Sequence, residues 1–271
     1  MSRPLTLVFD EAQFRAGALG EASYVLRLIS GLRQDPETDI RLLAPLVAAR
    51  PLDPRLRALA RDLARLPFTG VGDLLPAPGH GPLPLRALGK GARLVSAPIE
   101  RALCPVRLSL ALRGLPRRTI LHQSRFLPLV LPPAWRARSV ATIHDLLPLS
   151  HPEFFPADIP PVVAANLARF TANTAALFCV SEHTRQTLLA RTGLDPARVF
   201  VTPCGVDERF FVAAADEPGF AALRRKHALS FARYFLFVGT IEPRKNLLRI
   251  LAAQEALAEE LGAQAPGLVV V

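Results

Sequence analysis

Short apolar runs alternate along the chain with stretches whose apolar residues recur every three or four positions, the pattern of βα units around a parallel sheet. LTLVFD (Leu5–Asp10) reads as a strand, followed by a loop with Gly17 and Gly20 and a helix whose Val25, Leu28, Ile29 and Leu32 share one face. DIRLLAP (Asp39–Pro45) predicts a second strand, and Pro54 to Leu66 a basic helix. From Pro67 to Arg118, Pro and Gly interrupt the pattern every few residues, which predicts loops and short helices. Order returns at the strand-like TILHQ (Thr119–Gln123) and SVATIHD (Ser139–Asp145), then a helix over Asp158 to Asn173 and a buried strand, ALFCV (Ala176–Val180). Ser181 has the position and side chain to cap a helix through Arg191, and RVFVTP (Arg198–Pro203) predicts the next strand.

A small, polar, turn-forming stretch follows, VAAADEPG (Val212–Gly219), and it divides the chain into residues 1–215 and 216–271. Past it come a helix near Phe220–His227, a strand YFLFVG (Tyr234–Gly239), a helix from Asn246 to Leu261 and the strand-like LVVV (Leu268–Val271). The fold class is α/β: a Rossmann-like first domain and the beginning of a second. A single βαβ unit leaves one face of its sheet bare, so the second domain is expected to be incomplete as given.

Composition narrows the classes. No run of 18 or so apolar residues occurs, and Asp10 and Glu11 arrive before any signal-like core could form, so neither a membrane span nor a signal peptide is expected. Cys104, Cys179 and Cys204 lie far apart with no CxxC pair; a disulfide framework and a thiolate zinc site have no support, and a reducing cytoplasm fits best. The net charge is +10, and its placement is uneven. Between Arg41 and Arg125 stand fifteen Lys/Arg against four acids, Asp53, Asp62, Asp73 and Glu100. That asymmetry favours an anionic partner for residues 41–125: a lipid headgroup surface at the inner membrane face, a phosphorylated acceptor or nucleic acid. Within it, Leu83 to Arg113 mixes apolar residues with Arg86, Lys90, Arg93, Arg101 and Arg107, as a segment lying on a membrane surface would. A nucleic-acid role lacks interleaved aromatics, with one Trp and two Tyr in all, and lacks any recognised motif.

The sharpest chemical signal is FVGTIEPRKNLLRILAA (Phe237–Ala253). A buried strand ends at Gly239, a short polar loop presents Arg244 and Lys245, and a helix begins at Asn246. Strand carboxyl ends and helix N-termini are where α/β proteins bind anions. Arg244 offers a planar fork for two phosphate oxygens and Lys245 a compact point charge, together suited to a diphosphate. In TIHDLLPLSHPEFF (Thr142–Phe155) a strand delivers His144 and Asp145 at its carboxyl end. Asp145 could orient the imidazole, contact an acceptor or cap a turn. His144, His151 and Glu153 match no compact metal-ligand spacing, so no metal site is expected.

GTIEPRKNL resembles the donor-domain entry motif of the retaining family 4 glycosyltransferases. TIHDLLPLSHPEFF, VSEHTRQTLL (Val180–Leu189) and PCGVDERF (Pro203–Phe210) resemble the same family in the same order. The resemblance implies a GT-B fold with an acceptor-side first domain and a nucleotide-sugar-binding second domain. It implies that Arg244 and Lys245 hold the donor diphosphate without a metal ion, that Gly239 belongs to this donor-binding entry, and that His144 positions the donor sugar. The family often carries GIGRY in the first loop, its glycines letting backbone approach the donor phosphates; here the string is GEASY (Gly20–Tyr24), in which Gly20 fits and Ala22 and Ser23 depart.

The implied reaction moves a hexose from a nucleotide diphosphate sugar to a glycan or lipid-linked acceptor with retention. The combination of EPRKN and HDLLPL leans toward mannosyltransferases of polysaccharide assembly, with GDP-mannose as donor and no separate cofactor. The family also has two glutamates, seven residues apart, further along its donor domain, and nothing here corresponds to them. The expectation is therefore that this chain alone binds donor weakly and turns over poorly. The reading from another class is a non-catalytic remnant or interaction module that keeps the fold.

Overall fold

The structure, a computed structural model, describes residues 4–10, 19–44, 59–68, 103–124, 129–206, 210, 218–231 and 233–271. It divides into two compact units, Met1–Asp207 and Glu208–Val271. The expected linker over 212–219 lies almost wholly outside the described residues.

The first unit is built on seven strands: β1 (Leu5–Asp10), β2 (Thr38–Ala44), β3 (Ala64–Pro67), β4 (Thr119–Gln123), β5 (Ser139–Ile143), β6 (Ala176–Cys179) and β7 (Val199–Val201). They pair in the order β3-β2-β1-β4-β5-β6-β7, every neighbour parallel. Around the sheet run α1 (Leu19–Leu32), α2 (residues 103–111), α3 (Pro133–Arg136), α4 (Leu147–Ser150), α5 (Ile159–Asn173) and α6 (Glu182–Thr192). Parallel strands need cover on both faces, and the alternation of side chains along each strand supplies both. On β1, Leu7 and Phe9 join Ile40 and Leu42 of β2 against Val25, Leu26 and Ile29 of α1. Val8 and Leu43 point the other way, into a cluster with Cys104 and Leu108 of α2 and with Trp135. Further along, Ile143, Leu177 and Cys179 pack with Leu167 and Phe170 of α5 and Leu188 of α6.

Most strand and helix ends fall within a residue or two of the sequence reading, and two expectations in the first unit change in kind. The stretch Pro54 to Leu66 was expected to be one helix; residues 54–58 lie outside the described residues, Ala60–Asp62 is a single 3-10 turn, and Ala64–Pro67 is the edge strand β3. The open edge of β2 offers a backbone ladder that outweighs the helix propensity of an Ala-Leu-Arg sequence, and Pro67 is tolerated because it sits at the end of an edge strand. Gly20, expected in a loop, instead lies in the first turn of α1, which begins at Leu19.

The second unit holds α7 (Pro218–Lys226), β8 (Tyr234–Phe237), α8 (Leu247–Leu261) and β9 (Gly267–Val270), with β8 and β9 parallel in register Tyr234↔Gly267 to Phe237↔Val270. Strand β8 is not the buried strand its composition predicts. Phe235 and Leu236, on opposite faces, and Val238 just past the strand are all more than half exposed, so both faces of this two-stranded sheet are partly open. Gly267 is fixed by close approach, since an added Cβ would run into the Phe231 ring. Among the described residues, no helix is long and apolar enough to cross a membrane.

Candidate functional site

In an open parallel sheet, ligands bind outside the carboxyl ends of the strands where the strand order reverses. Here that point lies between β1 and β4, and three neighbouring elements bring aromatic and polar side chains to it. His144 directly follows β5, its ring meeting Tyr24 of α1 edge to face with centroids 4.9 Å apart and planes at 89°. The Tyr24 hydroxyl lies 3.3 Å from Thr142 Oγ1, and the same oxygen is 2.8 Å from His122 Nε2 on β4.

His122 is buried between Phe9 and Phe178, at 5.1 and 6.1 Å between ring centroids. Burial, reinforced by the charge of His144, pushes its pKa down to about 4, so the ring is neutral at physiological pH. The His144 backbone is held as well. Thr184 Oγ1 donates to the His144 carbonyl at 3.3 Å, and Thr184 is itself set by Ser181, whose Oγ accepts from Thr184 N at 3.1 Å. Ser181 thus caps α6 as its sequence position predicts, and that cap reaches His144. Asp145 is exposed, and its Oδ1 accepts from Leu147 N at 3.0 Å, closing the turn into α4. His151 Nδ1 lies 3.2 Å from Glu153 Oε1, so these two engage each other. Among the described residues, no three His, Cys, Asp or Glu side chains gather as a metal site.

A groove of about 330 Å³ opens beside this network, with Tyr24, Arg27 and Leu28 of α1 on one wall and Thr202 to Gly205 on the other. Cys204 is exposed there, whereas Cys104 and Cys179 are buried. Burial holds the Cys179 thiol up at about 11. Thiolate and access together set reactivity. A disulfide reagent at neutral pH should therefore label one thiol of the native protein promptly, Cys204, and the other two only on unfolding; mass spectrometry of the labelled peptides checks it.

In the second unit, β8 leads through Gly239 to a 3-10 turn, Pro243–Lys245, that carries the two predicted cations. Gly239 has φ 154°, a conformation that side-chain-bearing residues rarely adopt, and its N–H donates to Val271 O at 3.1 Å. The expected helix start at Asn246 shifts by one: α8 begins at Leu247, and Asn246 stands at the N-cap position in the left-handed region with φ 55°, its side chain making no capping hydrogen bond. Glu242, given no role of its own in the sequence reading, organises the turn. Its carboxylate accepts from Arg244 Nε at 2.6 Å and from the Thr240 hydroxyl, and its backbone carbonyl accepts from Lys245 N at 3.0 Å. The Thr240 hydrogen bond, followed by that of Arg244, holds the Glu242 carboxyl below its ordinary range. Arg244 and Lys245 are both exposed at the surface of this unit.

The structure thus brings His144 together with Tyr24, Thr142 and His122, a grouping the sequence reading missed apart from His144. The signal available for it was a histidine inside an apolar strand, LHQ, where a buried polar ring needs a partner.

Residues 20–210 match Glycosyltransferase Family 4. The O-antigen chain mannosyltransferase B of Escherichia coli is 28% identical over 123 residues, which is 45% of this chain and 32% of that protein. Among solved structures, the N-terminal domain of Candida albicans trehalose-6-phosphate phosphatase aligns with all of this chain and 64% of its own, at 12% identity and TM-score 0.51. Anabaena Alr3699/HepE in complex with UDP and glucose aligns with 98% of this chain and 60% of its own, at 17% identity and TM-score 0.47. The chain therefore spans less than two thirds of the length of these proteins. The family match runs across well over half of the 271 residues, and the seven-stranded parallel sheet, most of which it covers, has the strand order of a Rossmann-like domain. The chain belongs to Glycosyltransferase Family 4 and is built on the GT-B plan.

Proposed function

We propose that this chain is part of a retaining hexosyltransferase that moves a sugar, mannose before others, from a nucleotide diphosphate donor to a glycan or lipid-linked acceptor. The observation that carries the reading is the family match over 20–210 joined to a turn after β8 that presents Arg244 and Lys245. Negative charge accumulates on a departing diphosphate as the glycosidic bond stretches toward an oxocarbenium-like state. Fixed cations beside the leaving group stabilise that state more than the ground state, and this difference accelerates transfer. Arg244 and Lys245 supply that charge, Gly239 and Gly20 allow close backbone approach, His144 orients the sugar, and Asp145 stands next to it at the acceptor side. Mannose is favoured by the similarity to the O-antigen chain mannosyltransferase, and GDP-mannose is the corresponding donor.

The acceptor side has support of its own. Helix α2 turns Leu103, Val106 and Leu110 outward at 47, 57 and 63% exposure, while Cys104 and Leu108 face the core. Arg107 lies 5.7 Å over the Phe68 ring on the same helix. An apolar stripe flanked by arginines suits the inner face of an anionic membrane, where a lipid-linked acceptor would sit. Co-sedimentation with phosphatidylglycerol vesicles should fall severalfold when Leu103, Val106 and Leu110 are changed to serine.

The test of the main reading is calorimetric titration of the protein with GDP-mannose, UDP-glucose, GDP and guanosine. Weak but saturable binding of the diphosphates, weaker still for guanosine, with GDP-mannose ahead of UDP-glucose, is the expected result. Equal binding of guanosine and GDP, or no binding of either, would instead favour the non-catalytic module.

A further inference from the structure

We propose that His122, Thr142 and Tyr24 act as a positioning relay that holds the His144 ring in one orientation at the carboxyl edge of the first sheet. This deepens the reading of His144 as the residue that orients the donor sugar and rests on it.

The arrangement carries a cost. His122 is 5% exposed and Thr142 is fully buried, in an interior otherwise made of Phe9, Phe178 and aliphatic side chains. A leucine and a valine would fill the same space without burying polar atoms. The polar groups instead meet one another, and the chain they form leads outward: His122 Nε2 to Thr142 Oγ1 at 2.8 Å, Thr142 Oγ1 to the Tyr24 hydroxyl at 3.3 Å, and the Tyr24 ring against His144.

With His122 neutral, the chain closes in two senses. Either Nε2–H donates to Thr142, whose proton passes to the Tyr24 oxygen, or Tyr24 donates to Thr142, which donates to a bare Nε2. Both senses make the same two hydrogen bonds among the three side chains, and the depressed pKa of His122 keeps both available. The hydroxyl end of Tyr24 is thereby tethered to β5, which leaves its ring one tilt. An edge-to-face contact is directional, so that tilt selects the orientation of the His144 imidazole. Thr184 fixes the other end of the residue by gripping its carbonyl. Backbone and ring of His144 are therefore held by two different elements, α6 and α1.

The experiment observes the ring itself. In protein labelled at histidine, the His144 imidazole signals should form one sharp set, displaced by the Tyr24 ring current and connected to Tyr24 by cross-relaxation. Thr142→Val removes both hydrogen bonds and should abolish the displacement and broaden the set, while Thr142→Ser restores both. Tyr24→Phe keeps the ring and loses only the tether, and should broaden the set in the same way; it is decisive if Thr142→Val fails to fold. Packing alone would lower the melting temperature of Thr142→Val and leave the His144 signals in place. Unchanged His144 signals in Thr142→Val or in Tyr24→Phe overturn the proposal. No donor is needed for this readout, so an absence of donor binding, which would sink the transfer reading, leaves the result on the relay unaffected.

Discussion

Replacing Arg244 and Lys245 together by alanine should weaken binding of a nucleoside diphosphate by at least a hundredfold, with the nucleoside alone unaffected. A hydrogen bond to a charged group contributes about 1.5 to 3 kcal/mol. Two cations on one diphosphate are thus worth about 3 kcal/mol or more, and each 1.4 kcal/mol is a factor of about ten. In the absence of ligand, Arg244 is engaged by Glu242 at 2.6 Å. That pair does not protect it from the ligand, because an exposed ion pair is worth about 0 to 1 kcal/mol, less than the exchange for a dianionic diphosphate returns. Glu242→Gln should therefore tighten diphosphate binding a few fold, since it removes a negative neighbour and releases the arginine. Raising the salt should weaken binding to the natural protein and leave the doubly substituted one nearly unchanged. The turn is on the surface, so the β8–β9 pairing should survive both changes. Titration at low and high salt, with circular dichroism as the control for folding, checks each of these. Diphosphate affinity that is the same in the doubly substituted protein would remove the assignment of this turn to the donor.

The parts of the fold that were legible in the sequence are those where local pattern and tertiary environment ask for the same thing. Strand β1 is apolar at three of its four buried positions, Leu7, Val8 and Phe9, and ends on Asp10 at the sheet's carboxyl edge. Ser181 could be read as a cap because an N-cap is a local device, a hydroxyl reaching an N–H three residues on. Strand β3 was not legible. Its residues, Ala64 to Pro67, suit a helix, and only the free edge of β2, brought there by the chain's path, makes them a strand. The start of α8 was misplaced by one residue because the left-handed conformation of Asn246 follows from the preceding 3-10 turn.

The same distinction governs the site. Arg244 and Lys245 announce themselves as adjacent cations after a strand, and His144 as an imidazole at a strand end. Glu242 was visible as a letter between Ile241 and Pro243, but its hold on Arg244 depends on the turn that folds the chain back within three residues. His122, Thr142 and Tyr24 lie 20 and 118 residues apart along the chain, pair by pair, and meet only because β4 and β5 are neighbours and α1 packs over their end. Nothing in a linear pattern encodes that proximity. What the sequence does carry is a polar residue in an apolar strand, which states a need for a partner without naming it.

Acidification from pH 6.5 to pH 4 should cost the first unit about 3 kcal/mol of stability through His122 alone. The sign follows from where the proton binds. In the unfolded chain His122 takes it up near the ordinary value of 6.5, whereas burial and the charge of His144 hold it off in the folded protein until about pH 4. Above pH 6.5 neither state is protonated and the group is indifferent. Between the two values the unfolded state alone binds the proton, so stability declines by about 1.4 kcal/mol for each pH unit. Below about pH 4 both states carry it, and the loss levels off. Carboxyl groups also contribute in acid. Asp35, held down first by the Glu37 N–H and then by the Thr38 hydroxyl, and Glu153, held down first by its own backbone N–H and then by His151, lose stabilising interactions as pH falls below their ordinary values of 3.8 and 4.5. Those losses begin lower on the pH scale and are shared by any variant at position 122. Urea unfolding of the natural protein and of His122→Gln, which can still hydrogen-bond Thr142 but binds no proton, should therefore diverge between pH 6.5 and 4 and run parallel outside it. Parallel curves throughout that window would mean that the His122 ring is reached by water in the folded state, and the buried relay to Tyr24 would then lack its inner anchor.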